Sequence, residues 1–137
     1  MRLAGRSIKT EQASARWWSP ARGVFCTQVS GHFTMDVVDL FVGAIDEVIG
    51  DTEGQLRSFH DLRDVVSYDS RARLAYTEQS KPIMHRVQAV EMLFSSGLIA
   101  MGISVANIVL GGKLKGTSDV AAFERRRDAA IASANPR

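Results

Sequence analysis

The chain has 137 residues, of which 45% are hydrophobic and 23% are charged, and its formal net charge is +2. These values are typical of one globular domain with a real core, and the small charge excludes a strongly basic nucleic-acid-binding surface. The lone cysteine, Cys26, excludes an intrachain disulfide, and the start carries no apolar leader. We therefore expect a cytoplasmic protein that does not bind nucleic acid.

The first part of the chain predicts an arm, a hairpin and a helix. Residues 1–14 mix Arg, Lys, Gly and Ser, and we expect a flexible N-terminal arm there. The apolar runs 15–18 and 23–29 lie on either side of Pro20, as in a pair of strands joined by a turn. Apolar residues then recur at helical spacing over residues 34–49, with acidic residues largely on the opposite side.

The second part alternates strands with helices. The predicted elements are a strand at 55–60, a helix from Ser70 to near Pro82, a strand at 87–94, a helix at 98–110, a strand at 113–116 and a helix from Ser118 or Asp119 to about Ser133, followed by a tail at 134–137. The order β-β-α-β-α-β-α-β-α predicts a single α/β domain over residues 15–133. Its central sheet should be mostly parallel and covered by about four helices.

The segment from Asp61 to Ser70 is the most distinctive motif. It reads Asp61-Leu62-Arg63-Asp64-Val65-Val66-Ser67-Tyr68-Asp69-Ser70, so that an Asp-Leu pair is followed eight residues later by an Asp-Ser pair. This motif resembles the third strand and following turn of the STAS or SpoIIAA-like family of anti-sigma-factor-antagonist-like domains. The element order fits that family over residues 15–133. The resemblance implies a regulatory protein-interaction module with a partner of the kinase or sigma-regulator type.

In the signalling members of that family the matching serine is phosphorylated, which makes Ser70 the candidate phosphorylation site. Its sequence neighbours Asp69, Arg71 and Arg73 are then candidates for partner binding. Signalling members continue Ser-Gly where this chain has Arg71-Ala72. A related SpoIIAA-like branch, which also resembles lipid-binding Sec14 domains, lacks the switch. Apart from the family, a serine at a helix start can act as a plain N-cap, and a phosphate there would face the positive end of the helix dipole.

The helix at 98–110 is apolar on almost every side. Its apolar residues are Leu98, Ile99, Met101, Ile103, Val105, Ile108, Val109 and Leu110, and Gly102 and Ala106 allow close approach of another element. A helix of this kind must be covered on two sides, one of which is the sheet. The residues Leu98, Met101, Gly102, Val105, Ile108 and Val109 therefore predict a homodimer contact. A hydrophobic ligand and burial under the chain's own arms are the alternatives.

No charged residue occurs between Glu91 and Lys113, a length that approaches a membrane span. The turn signal Ser95-Ser96-Gly97 divides this run into a strand and a helix, and Asn107 lies inside the helix. We therefore expect no membrane span.

Catalytic motifs are weak. The acidic residues Asp61, Asp64 and Asp69 follow a predicted strand, where they serve either a metal or, as we expect, caps and turns. His60 precedes Asp61, and a Ser70–His60–Asp triad is one hypothesis, although the chain has no Gly-x-Ser-x-Gly motif. We expect a non-enzymatic protein with no catalytic residues, no metal and no cofactor. The rival functions are a carrier or sensor of a small hydrophobic molecule, and an enzyme that uses His60.

Overall fold

The computed structural model describes residues 3–134, in which six strands form one sheet. The strands are β1 Leu3–Lys9, β2 Ala13–Ala21, β3 Val24–Phe33, β4 Leu56–Tyr68, β5 Val87–Leu93 and β6 Leu114–Thr117. They lie side by side in chain order. The pairs β1–β2 and β2–β3 are antiparallel, whereas β3 to β6 are parallel.

Helices connect the parallel strands, as parallel pairing requires. They are α1 Met35–Gly50, α2 Ser70–Ser80, α3 Gly97–Val109 and α4 Val120–Ser133, and a 3₁₀ segment at Lys81–Arg86 follows α2. Each helical crossover adds the next strand at the same edge of the sheet. Because such crossovers are right-handed, α1, α2 and α3 all lie on one face of the sheet. The predicted α/β class and order of elements are confirmed. Over residues 3–134, no helix is both long and apolar enough to cross a membrane.

The two faces of the sheet carry separate apolar cores. The cavity face, which α1, α2 and α3 cover, includes Trp17, Phe25, Phe41, Val65, Ile103 and Leu114 among its buried residues. The α4 face consists of Val24, Cys26, Phe59, Leu93, Phe123 and Ala130. Adjacent strand residues point to opposite faces, which explains why Trp17 is buried in the first core while Trp18 packs beside the second.

The prediction of a flexible arm at residues 1–14 is wrong for Ala13 and Ser14, which begin β2, and for residues 3–9, which form β1. This strand pairs with β2, with Ile8 opposite Ala15. Its register shifts between Leu3 and Arg6, and Gly5 has a φ of 80° at that break. A side chain at Gly5 would clash with the Trp17 carbonyl, so the bulge requires glycine. Of the predicted tail at 134–137, residues 135–137 lie outside the described residues.

Candidate functional site

A cavity of about 130 Å³ lies between the sheet and helices α1, α2 and α3. Its walls are almost entirely aliphatic and aromatic. The apolar lining includes Phe33, Phe41, Tyr76, Ile99, Ile103 and Ala106. In another protein, an engineered apolar cavity of about 150 Å³ binds benzene. The space therefore suits one small apolar molecule, about the size of a single ring.

Aromatic side chains fix α2 over this cavity. The ring of Tyr76 on α2 lies 5.9 Å from that of Phe33 and 6.0 Å from that of Phe41, measured between centroids. Tilted rings at such separations attract each other in addition to the area they bury. Burial raises the pKa of the Tyr76 hydroxyl above its usual value, so Tyr76 stays uncharged. The part of the cavity wall that Tyr76 forms is thus aromatic and uncharged.

A buried chain of polar side chains lies on the cavity face. Thr27 Oγ1 is 2.7 Å from His60 Nδ1, and His60 Nε2 is 3.2 Å from Ser58 Oγ. A neutral imidazole has one donor and one acceptor, and both ring nitrogens have partners here. Burial lowers the pKa of His60 to about 4, so the ring is neutral at pH 7. His60 and Ser58 therefore give the cavity a neutral polar spot that is already hydrogen-bonded.

The hypothesis of a Ser70–His60–Asp catalytic triad is wrong. His60 faces the cavity, whereas Asp61 points to the opposite face, as neighbours in a strand do. The Asp61 carboxylate is buried and accepts hydrogen bonds from Arg63 Nε at 3.1 Å and Arg63 Nη2 at 2.8 Å. Asp61 is thus paired with Arg63, and Asp69 has a capping role at the start of α2. Ser70 is exposed at the start of α2.

The predicted switch turn has Asp69, not Ser70, as its N-cap. The Asp69 carboxylate accepts a hydrogen bond from the Arg71 backbone N–H at 2.8 Å. Ser70 is the first residue of α2 and is exposed, as is Arg71. A carboxylate accepts this bond at least as well as a hydroxyl does, which leaves the Ser70 hydroxyl free of the capping role that the sequence suggests.

Arg73 lies apart from the exposed residues of this turn and lines the cavity. Its guanidinium carbon is 6.0 Å from the centroid of the Tyr68 ring. On the other side, a Cβ added to Gly102 of α3 would lie 3.3 Å from Tyr68 Cε1 and 3.6 Å from Arg73 Cδ. Gly102 therefore permits close contact between α3 and the Tyr68–Arg73 pair. Gly102 faces the cavity and does not lie on the exposed side of α3 that the predicted dimer contact requires.

The outer side of α3 carries large apolar residues that the described part of the chain leaves exposed. These are Leu98, Met101, Val105, Ile108 and Val109, with Ile108 84% exposed and Met101 64% exposed. The inner side packs Ile99, Ile103 and Ala106 into the core. Burial under the chain's own arms, one of the predicted alternatives, does not occur within residues 3–134. These five exposed residues form the outer α3 surface.

The antiparallel β1–β2–β3 unit, the parallel strands that follow it and the helices on both faces define a SpoIIAA-like fold. A solved structure with this fold, an uncharacterized protein from the DUF3478 family of Shewanella loihica PV-4, aligns with a TM-score of 0.61 over 92% of this chain and 94% of that chain. The two sequences are 10% identical, so the likeness shows the fold alone. No known family profile and no curated protein matches the sequence.

Proposed function

We propose that this chain is a non-enzymatic protein-interaction module that self-associates through the outer α3 surface. The observation that carries the proposal is the exposure of five large apolar side chains on one side of one helix. Soluble proteins seldom leave such a continuous apolar surface facing water, and where they do it commonly marks an interaction site. The all-apolar helix noted in the sequence thus has one side in the core and one side available to a partner.

A second copy of the chain is the occupant that this surface suits best. Leu98, Met101, Val105 and Ile108 are spaced by three, four and three residues, which places them in one stripe along α3. Residues 92–112 contain no charge. Two identical stripes related by a two-fold axis therefore meet without like-charge repulsion and bury apolar area on both sides.

The test is the oligomeric state of three proteins by sedimentation velocity over a range of concentrations. We expect a concentration-dependent dimer for the native chain and a monomer for Ile108→Asp, because a charge on the most exposed residue of the stripe must be desolvated on pairing. The matched control is Val66→Asp, which places the same charge at an exposed apolar residue on β4. A native chain that stays monomeric, or a dimer that Ile108→Asp leaves intact, overturns self-association.

Phosphorylation of Ser70 is the regulatory part of this proposal. A phosphate there would add about two negative charges near the N-terminus of α2, with Arg71 next to it. A kinase or sigma-regulator partner implies a cytoplasmic setting. The test is a pull-down from the native host combined with mass analysis of the peptide that contains Ser70. Ser70→Asp should change the affinity for the captured partner. An unchanged affinity contradicts regulation by phosphorylation of Ser70.

The cavity supports a second function, in which the chain carries or senses a small hydrophobic molecule. A ligand that binds only the folded state stabilises it by RT ln(1 + L/Kd), where L is the free ligand concentration. We expect toluene to shift backbone amide signals around the cavity in an NMR titration. Ala106→Leu should abolish the shifts, because its larger side chain extends into the same space. A native spectrum that toluene and other compounds with a single aromatic ring leave unchanged contradicts this function.

A further inference from the structure

The described part of the cavity lining carries positive charge on one side chain and no negative charge. Of its described lining residues, Arg73 carries the only charge at pH 7, since His60 is neutral there. The polar spot at His60 and Ser58 is neutral and hydrogen-bonded. A ligand that fills the cavity therefore meets one fixed cation and an otherwise uncharged wall.

Arg73 also has no acidic partner in the described part of the chain. Arg63, Arg126 and Arg127 each pair with a carboxylate, whereas Arg73 lies within 4.0 Å of no carboxylate oxygen among residues 3–134. Among the described side chains, only the aromatic ring of Tyr68 offers the Arg73 guanidinium an attractive electrostatic contact. The five N–H donors of Arg73, which lines the apolar cavity, are thus available to an acceptor on a bound ligand.

We infer that the cavity binds a small monocarboxylate with a single aromatic ring, whose carboxylate pairs with Arg73. This inference rests on the ligand-holding function proposed above and names its ligand class. The cavity volume admits one ring, and Phe33, Phe41 and Tyr76 supply an aromatic wall. A planar carboxylate matches the guanidinium fork and can accept two parallel hydrogen bonds.

The experiment compares benzoate with toluene, which has nearly the same shape but no charge, in NMR titrations of the full chain. We expect benzoate to bind the native chain more tightly than toluene. Arg73→Met should weaken benzoate binding by about 10- to 100-fold and leave toluene binding unchanged. Arg73→Lys should retain part of the benzoate affinity, since it keeps the charge but loses the fork.

The matched control is Arg71→Met, which removes the same charge two residues away at an exposed position that does not line the cavity. It should leave benzoate binding within about twofold of the native value because solvent and salt screen an exposed charge. Toluene binding without tighter benzoate binding, or an equal loss in Arg71→Met and Arg73→Met, overturns the inference while the ligand-holding function stands. If neither compound binds, the ligand-holding function itself is overturned.

Discussion

The sheet carries three helices on one face and one helix on the other, and the two faces pack differently. On the cavity face α1, α2 and α3 are each held at both ends by connections to strands, and space of about 130 Å³ remains among them. On the α4 face a single helix packs Phe123 edge-on against Phe59, with ring centroids 6.1 Å apart. Within residues 3–134, a strand is connected only to the N-terminal end of α4. The cavity face thus retains space for a ligand, whereas aromatic rings pack against each other on the α4 face.

The largest effect should come from removing an aromatic side chain on the closed face. Phe123 and Phe41 are both almost fully buried, but Phe41 lines the cavity. We expect Phe123→Ala to lower the free energy of unfolding by about 3–5 kcal/mol in urea denaturation. Phe41→Ala should cost about 1 kcal/mol less, because part of its ring already lacks neighbours. A loss at Phe41 equal to that at Phe123 would remove the contrast between the two faces.

The second largest effect is a pH dependence of the free energy of unfolding, which is caused by His60 on the cavity face. His60 has a pKa of about 4 in the folded chain against about 6.5 when unfolded, so below pH 6.5 the unfolded state binds a proton that the folded state does not. Stability should therefore fall by about 3 kcal/mol as the pH drops from 6.5 to 4. In His60→Gln this component should be absent, as measured by denaturation at several pH values.

The control for this measurement is His85→Gln, which removes an exposed histidine and should leave the pH dependence as it is in the native chain. Equal slopes in the native chain and in His60→Gln between pH 6.5 and 4 would contradict the neutral, buried state of His60.

The smallest effect compares one substitution on the two faces. Ala106→Leu adds carbon atoms beside the cavity, each of which contributes about 0.8 kcal/mol when buried. We therefore expect the free energy of unfolding to rise by about 1 kcal/mol. Ala130→Leu adds the same atoms to the packed α4 face and should cost about 1–3 kcal/mol through overpacking. Thermal unfolding of the two variants gives the sign of each change. The same sign for both would mean that the two faces do not differ in free space.

Local signals in the sequence account for most of the fold. Ser96 and Asp119 accept hydrogen bonds from backbone N–H groups at the starts of α3 and α4, and such capping residues are readable from the chain alone. The strand β1 has no comparable signal. Gly5 interrupts its pattern, and its pairing depends on β2, so composition alone suggests a loose arm.

The site is less readable because its contacts join distant residues. Thr27 precedes His60 by 33 residues, and only the parallel register of β3 and β4 brings them together. The sequence therefore suggests a base beside Asp61, where the structure has a histidine bonded to a threonine and a serine. Likewise, Arg73 lies near Arg71 and Ser70 in sequence but lines the cavity, because helical rotation directs it inward. Free volume among helices has no signature in any single residue.

The bulge at Gly5 has a consequence for how these molecules can assemble. An outermost strand with an unbroken row of backbone groups invites a strand from another chain, which can lead to fibres. Here the register breaks in β1, and Arg6 and Lys9 add charge to that edge. The opposite edge, β6, is only four residues long and carries Lys115. Both edges of the sheet are thus poor templates for intermolecular strand pairing.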